Sequence, residues 1–263
     1  MIYQGSKKRI LKDILPIIQG IIDRNGINSY IEPFVGGANV IDSVRCGSRT
    51  GSDLNSELIA LLRYMRDDPE LSIAPCDCDF SHYADVRESR KRKDGRYAQE
   101  YISLIGWFAS YGGRYYDGGY GRDPSGKRNI YRERLSYAKE QAPLLKGIEF
   151  VCKPFWEYGA DYKDCLFYCD PPYRDTKVYD GKDGFPYDRF YDWCRETGKR
   201  NWVLVSEYSM PDDFECIWSK ERKVMQKADR TEADVAVERL YRIGRQDKPR
   251  NISIQPDSIF DLI

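Results

Sequence analysis

Residues 29–44 read SYIEPFVGGANVIDSV, and residues 48–67 read SRTGSDLNSELIALLRYMRD. The first stretch is a short apolar strand, a glycine turn and the start of a helical pattern. The second ends a short strand at Asp53 and passes into a helix from about Ser56 to Arg66. Together they predict β-turn-α-β-α over residues 29–67, the opening of a doubly wound sheet. Apolar strand patterns return in GIEFVC (147–152), CLFYC (165–169) and WVLVSEY (202–208), as in strands buried on both faces. FECIWSKERKVM (214–225) and VERLYRIG (237–244) predict a closing hairpin. Upstream, apolar residues at 10, 11, 14, 15, 17, 18, 21 and 22 have helical spacing, with Ser6 as N-cap and Gly26 as stop. Pro16 is expected to kink or interrupt that helix.

Residues 68–145 differ in character. RESRKRKDGR (87–96) holds six basic and two acidic residues, and SYGGRYYDGGYGRD (110–123) is glycine and tyrosine with arginine between. The second stretch predicts a hairpin or an ordered loop. The chain therefore reads as a sheet domain formed by 1–67 and 146–263, with a mostly helical and looped insert over 68–145.

Bulk properties narrow the function. A chain of 263 residues suits one large α/β domain or a domain with an inserted module. Lys plus Arg and Asp plus Glu number 42 each, so the net charge is zero. That excludes a generic polycation but leaves room for a local basic face on nucleic acid. No apolar run approaches the ~18 residues of a membrane span, and MIYQGSKKRI lacks the apolar core of a signal peptide. Eight cysteines, several within apolar runs, read as buried free thiols of a reducing compartment, so the expected location is the cytoplasm. CDCDFSH offers Cys76, Cys78 and His82, three candidate ligands where a structural zinc site normally shows four; no metal is expected.

The chemistry concentrates at two places. In IEPFVGGANV, glycines after a strand let a ligand approach the backbone, and a following helix would favour a negative group. Asp53 closes the next strand, about 20 residues on, where doubly wound folds grip a ribose. The turn lacks G-x-G-x-x-G, so it fits an adenosyl ligand without a pyrophosphate. YCDPPY (168–173) is the second place. An apolar strand ends there in a carboxylate, two residues without N–H groups and an aromatic. Asp170 and the Pro171 carbonyl make a pair of acceptors for the two hydrogens of a flat amino group. Tyr173 offers a ring on which a base can stack.

In these motifs and their order the sequence resembles the Dam-type DNA adenine methyltransferases, especially the phage and prophage branch. YQGSKKRI resembles their N-terminal cofactor motif, IEPFVGG their glycine motif, SDLN the ribose segment and DPPY the catalytic motif. VLVSEYSMPDDFECIW and RTEADVAVERLY resemble downstream segments. The resemblance implies a Rossmann-like methyltransferase sheet with an inserted target-recognition domain, S-adenosylmethionine as cofactor, and double-stranded DNA as partner, with no obligate protein partner evident. It implies cofactor contacts at Tyr3, Lys7, Glu32, Phe34, Gly36, Gly37, Asp53 and Asp170, and catalysis at Asp170, Pro171 and Tyr173. The chain has GSK where many members have GGK. The third strand ends in CKPFWEY without a clear acid, so Phe155, beside Trp156, is the expected adenine contact. In the insert, Arg90, Lys91, Arg92, Lys93, Arg114, Tyr115, Tyr116, Tyr120, Arg122 and Arg128 are the expected DNA contacts. Methylation of a cytosine amino group needs the same acceptor pair, and a catalytically silent DNA-binding relative would keep the fold; both alternatives stay open. A carbon-5 cytosine enzyme needs a cysteine after proline, and Pro75-Cys76 lies far from DPPY.

Overall fold

The computed structural model of the protein describes residues 1–172, 184–223 and 235–245. Five parallel strands form the body of the sheet: β1 (Ser29–Glu32), β2 (Ser48–Asp53), β3 (Ile148–Cys152), β4 (Cys165–Cys169) and β5 (Trp202–Glu207). β6 (Glu215–Lys223) and β7 (Val235–Gly244) are antiparallel to each other, and β7 runs antiparallel to β5. The order across the sheet is β3-β2-β1-β4-β5-β7-β6. From β1 the chain moves outward to β2 and β3, whereas from β4 it moves the other way. This reversal opens a crevice at the carboxyl ends of β1 and β4, where doubly wound sheets bind ligands.

Side-chain alternation along the strands builds two cores. Tyr30, Leu166, Tyr168, Leu204 and Leu240 join the larger, together with Ile14, Ile18 and Ile21 of α1 (Leu11–Asn25) and Leu58, Leu61 and Leu62 of α2 (Ser56–Asp67). Ile31, Phe167, Cys169, Val203 and Val205 point to the opposite face, with Phe155. Both faces of the parallel strands are thus covered, as their continuous apolar runs demand.

Two local expectations change. The run after the glycine turn, residues 38–44, forms turns rather than a helix. Ala38 takes a left-handed φ of +55°, which ends any right-handed run before it starts. The helix-dipole argument for that turn goes with it. Pro16 lies inside α1, which continues through it. Its missing N–H falls near the start of the helix, and Gly26 closes the other end with φ +65° and an N–H to the Ile22 carbonyl. Ser6 does cap a helical turn, the short one at Lys7–Arg9, through the N–H of Lys8.

The insert carries α3 (Phe80–Arg92), α4 (Gln99–Ala109) and α5 (Ile130–Gln141). Its apolar residues, Tyr83, Val86, Leu104, Ile105, Phe108 and Tyr131 among them, belong to the same core as α1 and α2. The insert is therefore laid against the sheet domain and shares its core. Arg90 on α3 clamps this arrangement with a two-pronged bond to Glu57 on α2, at 2.8 and 2.7 Å. Residues 110–123 form the ordered loop alternative, closed at its base by a bridge between Ser110 and Tyr120. Arg134 on α5, 6% exposed, donates to the carbonyls of Trp107, Phe108 and Ser110 and so closes the end of α4. The loop packs so tightly on α4 that a methyl group at Gly106 would stand 2.3 Å from the Tyr115 ring and 2.7 Å from that of Tyr116. Gly106→Ala should cost about 1–3 kcal/mol of stability through overpacking. A thermal melt should drop by several degrees; an unchanged melt would mean that the loop is not seated on α4 in this way.

Candidate active site

Glu32 ends β1 at the crevice, only 2% exposed, and accepts a hydrogen bond of 2.7 Å from the Tyr30 hydroxyl. Burial pushes its carboxyl well above the ordinary range, against that hydrogen bond. Asp53 ends β2 one strand away. Its two oxygens accept from backbone N–H groups, Gly36 at 3.3 Å and Asn55 at 3.0 Å. Burial raises its pKa while these N–H groups oppose the rise. The glycine turn and Asp53 are thus one hydrogen-bonded unit. Asn55 also caps α2, which fixes the backbone just past the acid.

Tyr3 lies on the glycine turn. A methyl group at Gly36 would come within 2.9 Å of its ring, and one at Gly37 within 2.7 Å of its Cβ. Gly36 also has φ +47°, so the turn needs glycine for its backbone and for its clearance. Burial first, then Asp53 and Asp170, raise the Tyr3 pKa. The ring also packs on Trp107 of α4 at 5.3 Å. The N-terminal segment therefore bridges the sheet edge and the insert.

Asp170 follows β4 directly, on the same face as Tyr168 and next to the end of β1. Lys7, 7% exposed, sets its ammonium 2.7 Å from Asp170 Oδ1. Burial raises the Asp170 pKa, Lys7 draws it down and Glu238 pushes it up. Pro171 is buried and Pro172 exposed; the Pro172 carbonyl accepts from the Tyr187 hydroxyl at 2.8 Å, which ties the motif to α6 (Tyr187–Gly198). Tyr173 lies outside the described residues.

Phe34 and Phe155 lie in the second core, 5.6 Å apart, and both pack on Phe190. Phe155 is 2% exposed. Its neighbour Trp156 is 36% exposed under the Arg189 guanidinium at 4.0 Å. Of the two aromatics after β3, the one with an open face is Trp156.

The insert residues divide sharply. Tyr115 and Tyr116 are 8% and 2% exposed, packed on Trp107 and on Tyr83 respectively. A base cannot reach either ring without unpacking the loop, because both tyrosines are core residues; this corrects the expectation that they face DNA. Tyr120 is half-buried and donates to the Cys78 carbonyl at 2.7 Å. Arg90 is held by Glu57, Arg92 by Glu88 and Arg128 by Glu133. Among the described residues no carboxylate pairs with Lys91, Lys93, Arg114 or Arg122. Arg122 instead lies 4.7 Å over the ring of Phe80. Tyr111, 61% exposed on the same loop, was not singled out by the sequence reading; six tyrosines between 97 and 120 look alike until the packing is known. Cys78 is buried and His82 shares a 2.6 Å hydrogen bond with Tyr101, so these two serve the insert's packing, while Cys76 is exposed. No helix among the described residues is long and apolar enough to cross a membrane.

The chain belongs to the D12 class N6 adenine-specific DNA methyltransferase family, whose model matches residues 3–192. It is 27% identical over 212 residues to the type II methyltransferase M.FokI of Planomicrobium okeanokoites, covering 73% of this chain and 31% of that protein. It is 25% identical over 248 residues to the type II methyltransferase M.MjaIII of Methanocaldococcus jannaschii, covering 81% and 84%. The chain thus spans about a third of the first relative's length and most of the second's. Among solved structures it is similar to the rRNA methyltransferase AviRa of Streptomyces viridochromogenes, with a TM-score of 0.39 and 13% identity over 91% of this chain and 86% of that one. A putative methyltransferase complexed with SAH, SMU.472, gives a TM-score of 0.31 and 15% identity over 84% and 49%.

If Asp53 is the ribose acid, Asp53→Ala should weaken S-adenosylmethionine binding by about 1.5–3 kcal/mol, the scale of a charged hydrogen bond. Titration calorimetry showing unchanged affinity would move the ribose elsewhere.

Proposed function

We propose that the protein transfers a methyl group from S-adenosylmethionine to the 6-amino group of an adenine in double-stranded DNA. One observation carries this reading. A carboxylate fit to grip a ribose, Asp53 at the end of β2, and a carboxylate fit to accept from an amino group, Asp170 just after β4, flank β1 at one edge of the sheet. The residues suit the cofactor. Asp53 and Asp170 outnumber the ammonium of Lys7, and such an edge attracts a cation. The bound cofactor supplies an electrophilic methyl on a sulfonium. Asp53 would hold the ribose hydroxyls, and the glycine turn under Tyr3 would take the adjoining part of the molecule.

The adenine amine is a poor nucleophile because its lone pair is delocalised into the ring. Asp170 and the Pro171 carbonyl would each accept one of its hydrogens, localising the lone pair and aiming it. Positioning and fixed dipoles carry such a step. Once nitrogen has gained the methyl it must lose a proton, and Asp170, whose pKa burial has raised, is a base at the right place. The base has to leave the duplex to reach this edge. The insert would hold the DNA, through the cations that no carboxylate has already taken.

Four expected outcomes test this. Incubation of DNA with the protein and S-adenosylmethionine should yield N6-methyl-2′-deoxyadenosine on nucleoside mass spectrometry. N4-methyl-2′-deoxycytidine instead would change the target base, and no product would end the reading. Asp170→Ala should nearly abolish turnover, while Asp170→Asn, which keeps an accepting oxygen, should be less damaging. Replacing Lys91, Lys93, Arg114 and Arg122 together by alanine should flatten the salt dependence of DNA affinity by about 0.9 in slope per lost phosphate contact. Arg90→Ala should leave that slope alone and lower the melting temperature. The reverse pattern would put the DNA on another face.

A further inference from the structure

The family resemblance places Lys7 among the cofactor contacts, but its ammonium stands 2.7 Å from Asp170 Oδ1, with the Gly5 carbonyl at 3.5 Å. Lys7 gets there because Ser6 caps a single helical turn, Lys7–Arg9, ahead of α1. That turn points the lysine stem into the protein and leaves it 7% exposed. The groups facing Asp170 from the surrounding elements are otherwise acids and hydroxyls. Glu238 comes from β7, Glu32 from the end of β1, Tyr3 from the N-terminal segment and Tyr168 from β4 itself. Burial and Glu238 favour a proton on Asp170, and Lys7 opposes them.

We infer that Lys7 is a positioning residue for Asp170: its ammonium holds the acid as a carboxylate and occupies Oδ1, leaving Oδ2 to accept from the target amine. The inference rests on the methyl-transfer reading and deepens it. A protonated Asp170 would present an O–H where an acceptor is required, and the amine lone pair would stay in the ring. Lys7 thereby sets the pH at which the acceptor pair is competent. It also fixes the rotamer of a carboxylate that sits just outside a strand, on a segment that two prolines deprive of backbone donors. The direction follows from the charges. Without Lys7, burial and Glu238 act unopposed, the Asp170 pKa rises further, and the acceptor returns only as pH increases.

The test has an arm that needs no activity. In the full chain with carbon-13 at the aspartate carboxyls, the resonance lost in Asp170→Asn identifies Asp170, and its titration is followed without cofactor or DNA. Lys7→Met and Lys7→Gln should both move the midpoint to higher pH, while Lys7→Arg, which keeps the charge, should leave it near wild type. An unmoved midpoint in a folded Met or Gln variant overturns the inference. In turnover, Lys7→Met should lose about a hundredfold at pH 7, the low end for a positioned catalytic group. That deficit should shrink as pH rises toward 9, with S-adenosylmethionine affinity by calorimetry within twofold of wild type. A deficit that is flat in pH and accompanied by weakened cofactor binding would make Lys7 a cofactor ligand and overturn the inference. If the wild type methylates no base, the methyl-transfer reading fails on its own, and the titration still decides whether Lys7 controls Asp170.

Discussion

β1 and β4 lie side by side in parallel register, Ser29 opposite Cys165 and Ile31 opposite Phe167, and the chain leaves them in opposite directions. Everything functional depends on that divergence. If successive strands had been added on one side only, each connection would cover the end of the last strand. Because they diverge, the ends of β1 and β4 stay open together, and the segments that follow them face each other. Glu32 and Asp170 meet there, Asp53 stands one strand further out, and the N-terminal segment crosses the gap carrying Tyr3 and Lys7. The two-sided apolar cover makes this possible: with both faces of the sheet filled, the carboxyl edge is where polar groups can gather without interrupting a core.

The strands and the acids at their ends were legible because they depend on local pattern. CLFYC is β4 to the residue, and Asp170 stands where that apolar run meets a charge; Asp53 ends the polar strand SRTGSD just before the helical pattern of α2. The terminal hairpin was legible for the same reason. What the sequence could not show was the conformation of single residues. VGGANVIDSV has a helical apolar spacing, yet Ala38 in a left-handed conformation turns it into a chain of turns. Nothing in the residue type announces that, since alanine is the best helix former there is. Pro16 misled in the other direction: near the start of α1 its lost hydrogen bond is a single bond, and the buried isoleucines of the helix outweigh it.

The insert shows a different limit. A run of six basic residues between 87 and 96 looks like one surface, but charge in a sequence says nothing about pairing. In the fold, Arg90, Arg92 and Arg96 each meet a carboxylate, and Arg90 is spent on holding α3 to α2. An exposed ion pair contributes little to stability, yet it removes a cation from the set that can neutralise a phosphate. The cations left without such a partner are fewer and more scattered, and they include Arg114 and Arg122 from the glycine-rich loop rather than the densest part of the run. The tyrosines follow the same logic. Tyr115 and Tyr116 are adjacent and both turn inward, because Tyr115 takes a left-handed φ of +51° that swings its ring onto Trp107. Such a conformation is costly for a bulky residue, and packing on α4 supplies the compensation.

The N-terminal segment joins these two halves of the molecule. Tyr3 touches the glycine turn on one side and Trp107 of α4 on the other, and four residues later Lys7 reaches Asp170. Fewer than ten residues therefore connect the glycine turn that binds Asp53, the acid Asp170 and the insert. Such a segment is a poor candidate for a freely substitutable tail, and its short helical turn is what keeps it in register: a shift of one residue would send Lys7 to solvent and put Lys8, which is exposed, in its place. The electrostatics sharpen the point. In an acidic crevice a lysine side chain has several carboxylates to choose from, and which of them it pairs with decides which stays basic. By pairing with Asp170 rather than Asp53, Lys7 leaves Asp53 to backbone N–H groups, which suit a hydrogen-bonding role toward hydroxyls. It gives the ammonium to the acid that the proposed methyl transfer needs ionised.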